Sequence, residues 1–307
     1  MPQSAEKTRL SGILPVYKEK GFTSFDVVAK LRGILKTKKI GHTGTLDPDA
    51  EGVLPVCIGT ATKLVEMLTD SPKEYEAGMI FGVTTDTQDI SGKVIKTGSL
   101  GADEDKVREA ILSFTGEYDQ IPPMYSALKH NGKKLYELAR EGKTVERSPR
   151  RVMIYDIDIT GVSLLQDIPS ASIKVRCSKG TYIRTLINDI GEMLGCGACM
   201  SSLVRTEAAG FGLKDCMKLS EAETRVNTAG AQDILIPTEK VFEKYPKVNV
   251  TPDHDRLLYN GNTLAREYFE QGETKGDCLR VCDSKGAFIA IYQAKGEEYK
   301  VKYFFAI

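Results

Sequence analysis

Residues 41–52 read Gly-His-Thr-Gly-Thr-Leu-Asp-Pro-Asp-Ala-Glu-Gly. Three glycines, a proline and small polar residues leave neither helix nor strand room to persist here. A long loop between two apolar segments is uncommon in a compact domain unless it serves a function. Pro48 pushes Asp47 out of the α region into an extended backbone. Gly44 and Gly52 permit positive φ and the close approach of another backbone or a flat ligand. The stretch therefore reads as a rigid bend that presents one carboxylate, Asp47, beside one imidazole, His42. An isolated Asp-Pro more often only starts a turn. A phosphate cradle is a poor fit, because no Gly-Lys-Ser/Thr follows and no helix opens at the second glycine.

The segments on either side read as alternating elements. Ile13–Tyr17 is a short apolar strand. Thr23 with Asp26 three residues on is a helix-start signature, and Val27, Val28, Leu31, Ile34 and Leu35 repeat at helical spacing over 24–35. After the bend, 53–58 is a buried strand, and Thr60 is placed to cap a helix carrying Leu64, Val65 and Leu68. Strands are expected at 74–81, 151–165 and 171–177, and helices at 103–114, 133–141, 181–194 and 219–226. Two prolines keep 120–129 extended, and Asn131-Gly132 marks a tight turn. From about Val248 short strands alternate with turn signals at Asn260-Gly261, Gln271-Gly272, Lys275-Gly276, Asp283–Gly286 and Lys295-Gly296. The pattern predicts an α+β main domain over 1–245 and a small all-β domain over 246–307.

Charge narrows the function classes. Lys plus Arg and Asp plus Glu are 42 each, so an indiscriminate, strongly basic nucleic-acid binder is excluded. Local basic clusters remain at Lys36, Lys38 and Lys39, at Lys129–Lys134, and at Arg147, Arg150 and Arg151. The N-terminus is polar and no apolar run is long enough to span a membrane, which predicts a soluble cytoplasmic protein. Seven scattered cysteines read as reduced thiols. Cys196-Gly-Ala-Cys199 with Cys278 and Cys282 is a weak zinc signal, and no metal site is expected.

Gly41–Pro48 followed by Ala50 and Gly52 closely resembles the signature loop of the TruB family of tRNA pseudouridine synthases. Further segments match in the family's order: Lys73-Glu74-Tyr75, Thr85-Asp86-Thr87, Ile121–Lys129, Gly132–Tyr136, Ser178–Arg184 and Leu203–Thr206. The resemblance covers about 12–211 strongly and weakens after 248, where the chain looks like a reduced PUA-type RNA-binding domain. One departure is Glu19, which stands where many members have proline.

The resemblance implies a pseudouridine synthase-like catalytic domain, with a mixed, mainly antiparallel sheet flanked by helices, followed by the PUA-like domain. It implies isomerisation of uridine to pseudouridine at position 55 in the T arm of tRNA, with no cofactor. Asp47 would be the catalytic carboxylate, as nucleophile at C1′ or as base at C2′. A carboxylate in a base-sized pocket loses water, and Arg184 would offset that loss by a charge-assisted bond. Tyr75, the third catalytic residue, would offer a face for stacking uracil and a hydroxyl to serve as base for the C5 proton late in the reaction, and Tyr182 and Leu203 would complete the pocket wall. His42 would occupy the space that the flipped uridine vacates, and Lys129 and Lys133 would contact RNA, with 133–141 as a clamp. No protein partner is implied and a monomer is expected. Two other classes compete: an RNA binder without chemistry, which has no need of Asp47, and a zinc protein built on the cysteines.

Overall fold

The computed structural model describes residues 10–270 and 276–305, so the Gln271-Gly272 turn signal and the polar start of the chain lie outside the described residues. The strands of the larger sheet are β1 Gly12–Lys18, β2 Ile40–His42, β3 Glu51–Ile58, β4 Lys73–Phe81, β5 Gly116–Gln120, β6 Arg150–Ser163, β7 Ser170–Cys177, β8 Ala198–Ala208 and β9 Phe211–Gly212. Their principal order is β1-β3-β8-β4-β7-β6-β5, with β2 on β3 and β9 on β8. Every pair is antiparallel except β3 with β8, where Val204 lies opposite Glu51 and Arg205 opposite Gly52. The sheet is thus mixed and mainly antiparallel, and its one parallel seam lies where the signature loop enters β3.

Helices cover this sheet because each carries one apolar face. α1, Ser24–Ile34, opens on a capping box: the Thr23 hydroxyl accepts from Asp26 N–H at 3.1 Å and the Asp26 carboxylate accepts from Thr23 N–H at 2.8 Å. Val27, Val28 and Leu31 are buried with Leu14, Val16, Leu54 and Val56, and with Leu219 and Ala222 of α4, Leu219–Ala229. α3, Ile183–Met193, buries Ile183, Leu186, Ile187 and Ile190, spaced i, i+3, i+4 and i+7, on Met79, Phe81, Ile173 and Val175. α2, Glu104–Leu112, is N-capped by Asp103 and adds Val107 and Ile111 to that cluster.

Three local readings change. The irregular stretch is shorter than 41–52, because Ile40–His42 pairs with β3 and Glu51 already belongs to it. Thr60 does not cap a helix: Gly59, at φ +63°, starts a 3₁₀ turn over Gly59–Leu64, and the α-helix Val65–Thr69 follows. The segment 133–141 is helical only from Leu135 to Arg140. Lys133-Lys134 instead pairs with Lys129-His130 across Asn131 (φ +49°) and Gly132 (φ +84°), the two left-handed positions of a type I′ hairpin.

The smaller sheet has its strands in the order 247–249, 278–282, 288–295, 298–304 and 264–265, with only the first pair parallel. A short α-helix, Asp255–Tyr259, and 3₁₀ turns at Pro252–His254 and Arg266–Tyr268 interrupt its all-β character. A third apolar cluster joins Ile13, Val53 and Leu64 to Phe242, Ile291 and Phe305, so the two sheets share buried surface.

Candidate active site

The loop 43–50 is fastened from two directions. From the β1–α1 turn, Gly21 N–H and the Lys18 ammonium donate to Pro48 O at 2.9 and 3.1 Å. Ser24 Oγ accepts from Leu46 N–H at 2.9 Å. From β8, Arg205 donates through Nε to Val53 O at 2.7 Å and through Nη2 to Gly44 O at 3.1 Å. Lys18 and Arg205 are 0% and 1% exposed. Two buried cations thus spend their donors on backbone carbonyls of the loop and of the strand it enters. Gly52 is obligatory at the seam: its φ is +104°, and a Cβ there would lie 2.2 Å from Arg205 O. The turn holding Glu19 meets the loop through Gly21, and Glu19 itself pairs with Lys218 at 3.1 Å.

Asp47, at the apex, meets Arg184 from the first turn of α3. Arg184 Nε lies 3.0 Å from Asp47 Oδ2. The rest of the guanidinium is committed: Nη1 donates to Thr87 O at 2.9 Å and lies 3.7 Å from Asp89 Oδ2, and Nη2 donates to Tyr125 O at 2.9 Å. A planar fork held at several points cannot swing, so it presets the Asp47 carboxylate. Arg184's side chain is 6% exposed and that of Asp47 is 41% exposed. In the free protein the Asp47 carboxylate is thus only partly covered, while its partner is buried.

Tyr75 on β4 registers opposite Arg205 on β8, and Leu203 opposite Ala77, which puts Tyr75 and Leu203 on one sheet face with Leu46 in the same apolar cluster. Burial pushes the Tyr75 phenol up and the nearby Arg205 charge opposes it. Tyr182, immediately before α3, is also pushed up by burial, with the Arg184 charge opposing and the Asp47 charge reinforcing. Both rings are therefore neutral phenols at neutral pH. Burial lowers Lys18 and Lys73 to about 8.

The structure thus brings Asp47, Arg184, Tyr75, Tyr182 and Leu203 together. His42 turns elsewhere: its Nδ1 accepts from Gly44 N–H at 3.3 Å, and its ring lies edge-on to the exposed Phe25 at 5.7 Å. Burial and the Arg205 charge lower its pKa, so the imidazole is neutral. The bend therefore aims imidazole and carboxylate at different neighbours. Lys129 and Lys133 stand apart on the exposed hairpin, where Lys133 pairs with Glu141 at 3.3 Å. All seven cysteines are free thiols, six of them buried, and among the described residues no group of three or more His, Cys, Asp or Glu could hold a metal.

Sequence reasoning gave no role to Arg205, Lys18, Asp89 or Gln120. The available signal was a long charged side chain closing an otherwise apolar strand, as Lys18 does after Val16-Tyr17, whereas Arg205 lies inside β8 between Val204 and Thr206. Such a residue is buried only when it is paired.

Known proteins share this geometry's sequence and fold. Residues 32–183 match the TruB family pseudouridylate synthase N-terminal domain, and residues 184–243 the tRNA pseudouridylate synthase B C-terminal domain. The chain belongs to the TruB family of pseudouridylate synthases. A tRNA pseudouridine synthase B from Lachnoclostridium phytofermentans is 53% identical over 292 residues, covering 92% of this chain and 95% of that protein. Another from Clostridium kluyveri is 43% identical over 292 residues, covering 95% and 98%. Among solved structures, a chain of a Cbf5-Nop10-Gar1 complex superposes with a TM-score of 0.70 at 28% identity, covering 96% of this chain and 85% of that one. A chain of an H/ACA RNP bound to a substrate RNA containing 2'-deoxyuridine gives 0.69 at 25% identity, with the same coverage.

Proposed function

We propose that this protein converts uridine to pseudouridine at position 55 in the T arm of tRNA, with Asp47 as the group that acts on the sugar. The observation that carries the reading is the carboxylate of Asp47 held 3.0 Å from a buried arginine anchored to two backbone carbonyls, while the carboxylate stays partly open to solvent. A surface ion pair has no need of such a mount. The relatives named tRNA pseudouridine synthase B supply the tRNA substrate class.

The chemistry asks for little else. The C1′–N1 bond breaks, the uracil turns, C5 bonds to C1′, the C5 proton leaves to solvent, and the freed N1 takes up a proton. No net electrons move and no water is consumed, so the reaction calls for no redox cofactor, metal or ATP. Two routes are open to Asp47: attack on C1′, or removal of the C2′ proton. Both need the carboxylate held in place, which the pair with Arg184 supplies, and both gain when the uridine seals the exposed side of Asp47 from water. Tyr75 is well placed as a stacking wall, with Tyr182 and Leu203 beside it. Its raised pKa keeps the proton on oxygen, which favours stacking over a role as base in the free protein.

The target must leave its stack, at a cost of a few kcal/mol. A neutral, partly buried His42 suits the vacated, largely apolar space better than a cation would. Lys129 and Lys133 on the exposed hairpin are available to RNA phosphates, and the PUA-like domain over 246–307 adds a second RNA surface. The same reading makes the protein a cytoplasmic monomer. Incubating the protein with a tRNA transcript tritiated at uridine C5 tests it. Tritium should enter water with wild type and not with Asp47→Asn. Equal release by both, or none by wild type with tRNA bound, overturns the reading.

A further inference from the structure

Gln120 ends β5, the edge strand of the larger sheet, and is 1% exposed. Its amide grips one backbone unit of another element. Oε1 accepts from Tyr182 N–H at 2.8 Å, and Nε2 donates to Tyr182 O at 3.0 Å and to the Tyr118 hydroxyl. Only this orientation of the amide pairs an acceptor with the N–H and a donor with the carbonyl. Tyr182 is the residue from which α3 starts: its carbonyl accepts the first intrahelical bond, from Leu186 N–H at 3.0 Å. α3 has no side-chain cap of its own and no acidic residue in its first turn. The start of this helix is thus pinned from another strand rather than by its own sequence.

The pin matters because of the residues on either side of it. Two residues along α3 is Arg184. Five residues beyond Gln120 is Tyr125, whose carbonyl accepts from Arg184 Nη2 at 2.9 Å. The segment 120–125 is therefore stapled to the first turn of α3 at both ends. Its continuation is the root of the basic hairpin, where Tyr136 N–H donates to Ser126 O at 3.1 Å and Leu135 N–H to Leu128 O at 2.8 Å.

We propose that Gln120 is a positioning residue for the reaction: its amide sets the first turn of α3, and so the place at which Arg184 holds Asp47. It acts through Tyr182 and Arg184 and does not touch substrate. The proposal rests on the reading of Asp47 and Arg184 given above. Displacement of a catalytic group by about 1 Å can cost about 100-fold in rate. Loss of one of its several restraints should displace Arg184 by less.

The test is single-turnover tritium release at saturating tRNA, with wild type and Asp47→Asn alongside. If wild type releases nothing, the function reading has failed, whatever Gln120 does. With wild type active, Gln120→Met should lower the rate about 30-fold and change tRNA affinity by less than about threefold. In an Arg184→Lys background the same change should cost less than about threefold, because the residue it positions is already gone. A folded Gln120→Met with the wild-type rate, an equal factor in both backgrounds, or a loss confined to affinity overturns the proposal. Gln120→Glu gives an independent readout: once protonated, its carboxyl again both donates and accepts at Tyr182. Its rate relative to wild type should therefore rise as pH is lowered from 8 to 6, whereas a flat ratio counts against the proposal. If neither variant folds, Gln120 is a folding residue and the proposal falls.

Discussion

The signature loop and the hairpin at 129–134 are both polar and glycine-bearing, yet they are held in opposite ways. The loop is fastened by two fully buried cations, a buried serine and a seam that admits only glycine. The hairpin is exposed, closed by its own turn, and tied to the body at its root. On the function proposed above, the difference answers two demands on one chain. A carboxylate that must meet a sugar carbon needs a place set before substrate arrives. Lysines that meet phosphates need reach more than precision, because that attraction is long-ranged and tolerant of geometry.

The largest expected effect falls on the loop's apex. Asp47→Asn should lower turnover by at least about 10³-fold while tRNA affinity stays within a few-fold, as read by tritium release and filter binding. Substantial residual turnover would remove Asp47 from the chemistry. Next comes the loop's mount: Gly52→Ala should cost about 2–4 kcal/mol in a urea titration, since both the positive φ and the Arg205 backbone oppose a Cβ. A melt unchanged from wild type would mean the seam yields.

The hairpin should behave in reverse. Lys129→Glu with Lys133→Glu should weaken tRNA binding about tenfold and flatten its salt dependence, with stability within about 0.5 kcal/mol of wild type. Loss of single-turnover rate at saturating RNA, with affinity intact, would erase the contrast between the two regions.

The smallest effect is a pH slope. Lys18 and Lys73 titrate at about 8 when folded, against 10.5 as the ordinary value. Below pH 8 both states carry the proton, and the full penalty for burying it is present. Between about 8 and 10.5 the unfolded chain holds more protons, so stability rises with pH across that window. Lys18→Met should flatten the rise of the urea midpoint there. An identical slope in that variant would show that Lys18 keeps its ordinary pKa.

Much of the fold was legible because it rests on local signals. The Thr23–Asp26 box, the 3.6-residue apolar spacing of 183–190 and the Asn131-Gly132 turn each act within a few residues, and each appears as expected. Thr60 failed because Gly59 reverses the chain first, a choice made by backbone freedom rather than by capping chemistry. Arg205, Asp89 and Gln120 were passed over for a different reason. Their partners, Val53, Arg184 and Tyr182, lie 152, 95 and 62 positions away, and no local pattern announces a bond across such spans.

The amino-acid order by itself therefore determined the family, the elements and the loop that carries Asp47, because these depend on residue type at short spacing. The pairing of Arg184 with Asp47 was already implied by the sequence resemblance. Only the tertiary structure decided that two buried cations hold the loop, that His42 turns away toward Phe25, and that Gln120 pins the helix. Those facts depend on which distant backbone carbonyls are left without partners once the sheet closes, and that is known only when every strand has its neighbour.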